Sequence, residues 1–373
     1  MIPFPRLWEA MQEVNDPRRA RGQRYPFTPL MIFTVLAVLA GATSYEGVIT
    51  FIHERGHQLN ELFGTRLKRA PAVNTLRHIL HSLSRYELEA AFRRHARDLA
   101  SPPVTEAGRP VIALDGKTLK HSFDQLNDQA AAATLSAFAS DDALILAHTE
   151  LDGGGYEIAA VQAMIAELDV SGVLFTADAM HCQKKTFEAA QASGNALLTQ
   201  VKDNQGRLLA HLKHLARTQP ATDIDETVTR KRRGRQEHRT VETFDVAGQL
   251  DPAWDGLIVQ AARVHRLTWE KQPATGRWTE SNETAFYVCQ VPLSAADFNQ
   301  AVRAHWSIEN RNHYVRDVTL GEDDSRIRVQ PGPFTRIRSF ALNIFRANGV
   351  RNVSQARYAT MLNPDKLLAY AGS

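Results

Sequence analysis

Along residues 27–99 apolar side chains recur every three or four positions, the spacing of helices that each bury one face. One helix is expected over 29–39, ending at Gly41. A second starts near Thr43 or Ser44 as N-cap and carries Val48, Phe51 and Ile52 on one side, and a third follows Asn74 with Leu76, Ile79, Leu80 and Leu83 at helical spacing. A fourth, over 86–99, is studded with arginines. The stretch 101–110 holds three prolines and a glycine with little to bury, and reads as a linker. The period then changes. Apolar runs of strand length occupy 111–114, 133–139, 143–151, 173–176 and 196–201, with helical patterns over 156–168 and 182–192 between the later ones. Three strands in succession followed by alternating helix and strand predict an α/β fold, a mixed sheet covered by helices. Polar and apolar residues alternate from 223 to 290, which predicts a β-rich insertion, and helical periodicity returns at Ser294 and lasts to the end. The expected division is a helical domain over 1–100, the linker over 101–110, the first part of the core over 111–222, the insertion over 223–290 and a helical completion of the core over 291–373.

Composition adds few constraints. The 373 residues are 43% hydrophobic and 23% charged, the balance of a globular protein with a large core. A formal net charge of +3 means that a polyanion would be met by local clusters rather than by the whole surface. Cys182 and Cys289 fit no metal or disulfide spacing, so a reducing cytoplasm is expected. Residues 1–24 have no apolar segment of the signal-peptide kind, and the most hydrophobic window, 26–41, is shorter than the roughly 20 residues a bilayer requires.

The candidate chemistry lies where apolar strands end in acids. V-I-A-L-D-G places Asp115 at the tip of one strand, and V-L-F-T-A-D-A places Asp178 at the tip of another. Each acid alone is a plausible cap for the following turn. Together they form a candidate metal site, because two close carboxylates repel unless a cation or proton lies between them. Hard divalent cations such as Mg²⁺ bind through a few carboxylates and keep positions open for water and phosphate oxygens. A third acid comes from R-A-H-W-S-I-E-N-R-N-H-Y-V-R-D-V: on a helix, Glu309 shares a face with His305, His313 and Arg316. The alternative is that Glu309 only pairs with Arg316 or His313 on a solvated helix. Basic residues follow the strands at Lys184, Lys185, Lys202 and Arg207, and the densest positive run is R-K-R-R-G-R-Q-E-H-R over 230–239, in the same insertion as Trp269 and Trp278. These are candidate phosphate contacts and base-stacking groups, against the plainer reading of a solvated hairpin with core tryptophans. In the N-terminal part, a basic loop precedes a helix whose Asn74 and Arg77 are placed to face bases. H-E-R-G-H at 53–57 matches the H-E-x-x-H zinc pattern, but Gly56 weakens the helix and no further ligand stands about 20 residues downstream.

The segments D-G-K-T-L-K, T-A-D-A-M-H-C-Q-K-K-T, L-L-T-Q-V-K-D-N-Q and H-W-S-I-E-N-R-N-H-Y-V-R-D-V-T-L-G-E-D-D-S-R-I-R together resemble the ISAs1-type insertion-sequence transposases of the IS4-like DDE group, and D-P-R-R-A-R-G-Q-R-Y-P-F resembles the helical domain attached to them. The resemblance implies an RNase H-like catalytic core with a β-rich insertion between the second and third acids. It implies Asp115, Asp178 and Glu309 as catalytic residues and ligands of two Mg²⁺ ions, with Mn²⁺ able to substitute. The implied reaction is cleavage at the element ends and transfer of the 3′-OH into target DNA. The implied partners are double-stranded DNA and a second copy of the chain as a homodimer on DNA, and the implied location is cytoplasmic and nucleoid-associated. The DNA contacts expected are Arg303, Arg316, His313, Lys117, Lys184, Lys185, Lys202, Arg232, Arg233 and Arg235. The rival readings are a domesticated transposase-derived DNA-binding protein and a nuclease no longer mobile.

Overall fold

Every residue but Thr28 is buried in the helix Phe27–Leu39, because F-T-P-L-M-I-F-T-V-L-A-V-L has no polar stripe to turn toward water. In the computed structural model, which describes residues 3–100, 109–119, 132–151, 157–229 and 234–372, this helix packs on an equally buried one, Gly332–Ala347. The chain divides into two compact units, Met1–Pro103 with Gly116–Tyr156 and Ser307–Ser373, and Val104–Asp115 with Glu157–Trp306. Strand β1, Val111–Thr118, passes through both.

In the first unit the N-terminal helices share one core with residues from the far end of the sequence. The rings of Phe92, on the helix Arg85–Leu99, and Phe340 meet edge to face with centroids 5.0 Å apart. Strands β2 (Ala133–Ala139) and β3 (Leu144–Leu151) pair antiparallel, with a register shift between Ala137 and Phe138. They join that core through His148, whose backbone N–H donates to Glu89, and Ile145, whose N–H donates to Asn343. The helices of 1–100 thus bury their apolar faces against positions some hundreds of residues away. The linker expected at 101–110 lies largely outside the described residues.

His95 is fully buried in this core, tilted against Phe340 at 5.2 Å, and neither ring nitrogen has a hydrogen-bond partner among the described residues. Burial pushes its pKa down to about 3, with Arg6 adding to the shift. A histidine whose folded pKa lies below its unfolded value stabilises the fold above the ordinary pKa of 6.5, and that stability is lost as pH falls toward 3. Urea unfolding is therefore expected to give a lower stability at pH 5 than at pH 7. The loss approaches about 1.4 kcal/mol per pH unit for such a group, and His95→Leu makes the dependence shallower. Equal slopes for the two proteins would contradict this account.

In the second unit the strands are ordered β1-β4-β5-β9-β8-β7-β6. β4 (Leu174–Ala177) and β5 (Ala196–Val201) run parallel to β1, joined by the helix Lys184–Ala192, and are buried almost throughout, as their unbroken apolar runs predict. β6 (Asp223–Val228), β7 (Arg235–Asp245), β8 (Gln260–Lys271) and β9 (Trp278–Cys289) form an antiparallel meander over the stretch read as an insertion. The end of the meander is stitched into the core, since β9 pairs with β5 through Leu198↔Cys289 to Val201↔Phe286. Both thiols are buried, and burial raises Cys182 to about 11 and Cys289 to about 12.

Candidate active site

The parallel register Leu114↔Ala177 sets the next residues, Asp115 and Asp178, side by side: Asp178 directly follows the end of β4, whereas Asp115, expected at a strand tip, lies inside β1, which runs on to Thr118. Neighbouring strands lie about 4.8 Å apart, so the two acids start from adjacent backbone positions. Asp178 is exposed, and its Oδ1 lies 3.5 Å from Nε2 of His305, the last residue of the helix Ala295–His305. The other ring nitrogen of His305 is 3.1 Å from Thr176 Oγ1 on β4. That imidazole is held from two sides, and its hydrogen bond is the main cause that keeps the Asp178 carboxyl below its ordinary pKa, against the opposing effect of burial. Lys202 adds a smaller push in the same direction.

Beyond His305 the helix changes its winding. The sequence predicts one α-helix over 303–318 with Glu309, His305, His313 and Arg316 on a single face. Instead the chain forms π-helical turns at Glu309–His313 and Val315–Thr319, in which Tyr314 N–H reaches Glu309 O and Leu320 N–H reaches Val315 O. Turns closed five residues apart hold an extra residue each and shift the side chains out of the α-helical phase. Glu309 is exposed and lies 3.7 Å from the buried ring of His313, while Arg316 is turned wholly inward. Glu309 and His313 together offer a carboxylate and an imidazole, a donor pair that suits a hard or borderline divalent ion.

A buried ion cluster lies on the same segment. Glu322 accepts from Lys117 Nζ at 2.6 Å and from Arg316 at 2.9 Å, with Arg338 at 3.9 Å, and Lys117 also pairs with Asp317. Burial acts to raise the Glu322 pKa, but Arg316, Lys117 and Arg338 outweigh it and hold the carboxyl well below the usual range. Gly321 reaches this position with φ +65°, and an added Cβ there would come within 3.0 Å of Thr43.

These contacts correct several expected DNA contacts. Lys117, His313 and Arg316 are 9%, 4% and 0% exposed, because the first and last are needed as countercharges to Glu322 and the second backs Glu309, so none presents itself to a duplex. Arg303 is exposed with Glu237 at 3.9 Å, and Lys184, Lys185 and Lys202 are exposed. Arg235 pairs with Glu237 at 3.5 Å and Glu270 at 3.2 Å, whereas Arg232 and Arg233 lie outside the described residues. Trp269 donates to Glu280 at 3.0 Å, Trp278 is partly exposed on the same hairpin, and Arg77 donates to Asn74 at 3.1 Å on an exposed helix face. Sequence reasoning missed the Glu322 cluster as a unit, for its members Lys117 and Glu322 are 205 positions apart.

The family model described as Transposase DDE domain matches residues 106–343. The chain belongs to the DDE transposase family. Residues 8–96 of this DDE transposase match a second model, described as DDE_Tnp_1-associated. The chain is 29% identical over 358 residues to the putative protein YbfL of Escherichia coli (strain K12), covering 92% of this chain and 91% of that one. It is 28% identical over 358 residues to the H repeat-associated putative transposase YhhI of the same strain, again covering 92% and 91%. A cryo-EM structure of a piggyBac transposase synaptic complex with hairpin DNA is similar with a TM-score of 0.48 and 8% identity, over 98% of this chain and 77% of that chain.

Proposed function

We propose that this DDE transposase cuts phosphodiester bonds at the ends of an insertion sequence of the ISAs1 type and joins the freed 3′-OH to target DNA. Asp115, Asp178 and Glu309 serve as the acidic residues of the site. The observation that carries the reading is the parallel register Leu114↔Ala177, which puts Asp115 and Asp178 next to each other on neighbouring strands. The core of the proposal is RNase H-like, with β1 to β5 as its sheet and β6 to β9 as the insertion; support comes from the parallel register that pairs Asp115 with Asp178. In this reading residues 1–100 form the DNA-binding helical part, and two copies act together because two ends must be joined.

Mg²⁺, or Mn²⁺ in its place, would supply a polarised phosphoryl oxygen and an acidified water when bound in pairs. Asp115 and Glu309 would hold the ions with Asp178 at the neighbouring strand tip, and these groups act as ligands rather than nucleophiles, so no covalent protein–DNA intermediate is expected. His313 orients the Glu309 carboxylate from its buried side. His305 keeps Asp178 charged and ready to coordinate. The exposed Lys202, beside Asp178, is placed to hold a phosphate as a point charge.

The test is cleavage of duplex DNA by the purified chain. With Mg²⁺ or Mn²⁺, cuts bearing 3′-OH termini are expected, and excess EDTA is expected to reduce them to background. Cutting that persists in EDTA, or none at all with either metal, would sink the proposal.

A further inference from the structure

We infer that the outer face of the helix Gly206–Thr218 is a second DNA-binding surface, gripping the phosphate backbone away from the carboxylates; this rests on the reading of the chain as a DNA transposase. The helix reads G-R-L-L-A-H-L-K-H-L-A-R-T and contains no acid. Leu208, Leu212, Leu215 and Ala216 are buried, which leaves Arg207, His211, Lys213, His214 and Arg217 all exposed to solvent. Among the described residues none of these five pairs with a carboxylate.

Several arginines of this unit are paired instead. Arg235, Arg239, Arg263 and Arg266 on the meander are each matched to a glutamate, namely Glu237 with Glu270, Glu237, Glu242 and Glu283. The described part of the hairpin that looks most basic in sequence is thus largely neutralised, whereas this helix carries unmatched positive charge. A cavity of about 770 Å³ beside it carries the same sign onward, lined by Lys184 and Lys185 together with Arg207. Lys184 is held over the Trp254 ring at 5.7 Å. The acid on the rim, Asp251, already accepts from the Ala253 N–H at 2.8 Å as a cap. A row of unpaired cations on an exposed helix, continued by two lysines, fits the regularly spaced charges of a nucleic-acid backbone, and such contacts bind by releasing counterions.

The experiment compares the chain with a variant carrying Arg207→Ala, Lys213→Ala and Arg217→Ala, both with Asp115→Asn so that no DNA is cut. A fluorescent duplex is titrated at several KCl concentrations. The triple variant is expected to bind about tenfold or more weakly, with the slope of log K against log salt reduced by about two to three, since each phosphate contact contributes about 0.9. Alanine favours the helix and all three sites are exposed, so circular dichroism should be unchanged. Lys213→Glu alone serves as a second variant and is expected to weaken binding in the same direction. Arg266→Ala, which removes a cation matched to Glu283, is expected to change affinity less than twofold. The inference is overturned if the triple variant keeps its affinity within twofold with an unchanged slope, or if Arg266→Ala weakens binding as much. Metal-dependent cleavage by the chain with Asp115 intact separates the two claims. Cleavage with no loss on the triple variant removes this surface alone, whereas the loss without any cleavage removes the catalytic reading alone.

Discussion

Replacing Asp115 with Asn is expected to lower metal-dependent DNA cleavage by about 10³-fold or more while leaving the fold intact. The substitution keeps the shape of the side chain and removes only the negative charge. In the proposed reaction that charge offsets a metal cation, and the side chain is half-buried rather than packed in the core. Losing a group that stabilises developing charge typically costs 10² to 10³ in rate, and a ligand that also fixes the metal costs more. Titration with Mn²⁺ followed by electron paramagnetic resonance should show weakened metal binding in the same variant. Thermal unfolding within a few degrees of the parent would show that the loss is chemical. Undiminished cleavage by Asp115→Asn would remove Asp115 from the site.

The second large effect is on stability. Glu322→Ala is expected to cost about 3–5 kcal/mol, because it leaves Arg316 and Arg338 as buried cations around an empty position and Lys117 with Asp317 alone. A whole domain is stable by only about 5–15 kcal/mol, so the variant should be close to unfolding at physiological temperature. The sign with pH follows from the depressed carboxyl. A group whose folded pKa is lowered contributes above its unfolded value of 4.5, and that contribution is lost as pH falls below it. The gap between the parent and Glu322→Ala in urea unfolding should therefore be full at pH 7 and should narrow progressively below pH 4.5. A cost under about 1 kcal/mol at neutral pH would mean that the cations find water or other partners, contrary to the buried geometry.

Much of the site could be read from the chain because its parts obey local rules. A four-residue apolar run followed by an acid and a small residue reads as a strand that ends at a sheet edge; β4 does so just before Asp178, whereas β1 continues past Asp115 to Thr118. The helix Phe27–Leu39 was visible for the same reason, since thirteen residues with scarcely a polar group have to be inside. What escaped the sequence depends on partners distant along it. The winding of 309–319, which accompanies the inward reach of Arg316 to Glu322, has no signal in E-N-R-N-H. The burial of Lys117 follows from an acid 205 residues away, and so a lysine that looked exposed in sequence proved to be a structural cation within β1. The pairing of β9 with β5 likewise depends on a register between remote strands, which alternation within 223–290 does not reveal.

The two native thiols have a practical consequence for probing this molecule. With pKa values near 11 and 12 and no solvent access, Cys182 and Cys289 carry almost no thiolate at neutral pH, and maleimides should pass them by in the folded state. A single cysteine placed on an exposed position can therefore be tagged with a dye or spin label without first stripping out the natural pair, so distances during DNA engagement become measurable on an otherwise unaltered chain.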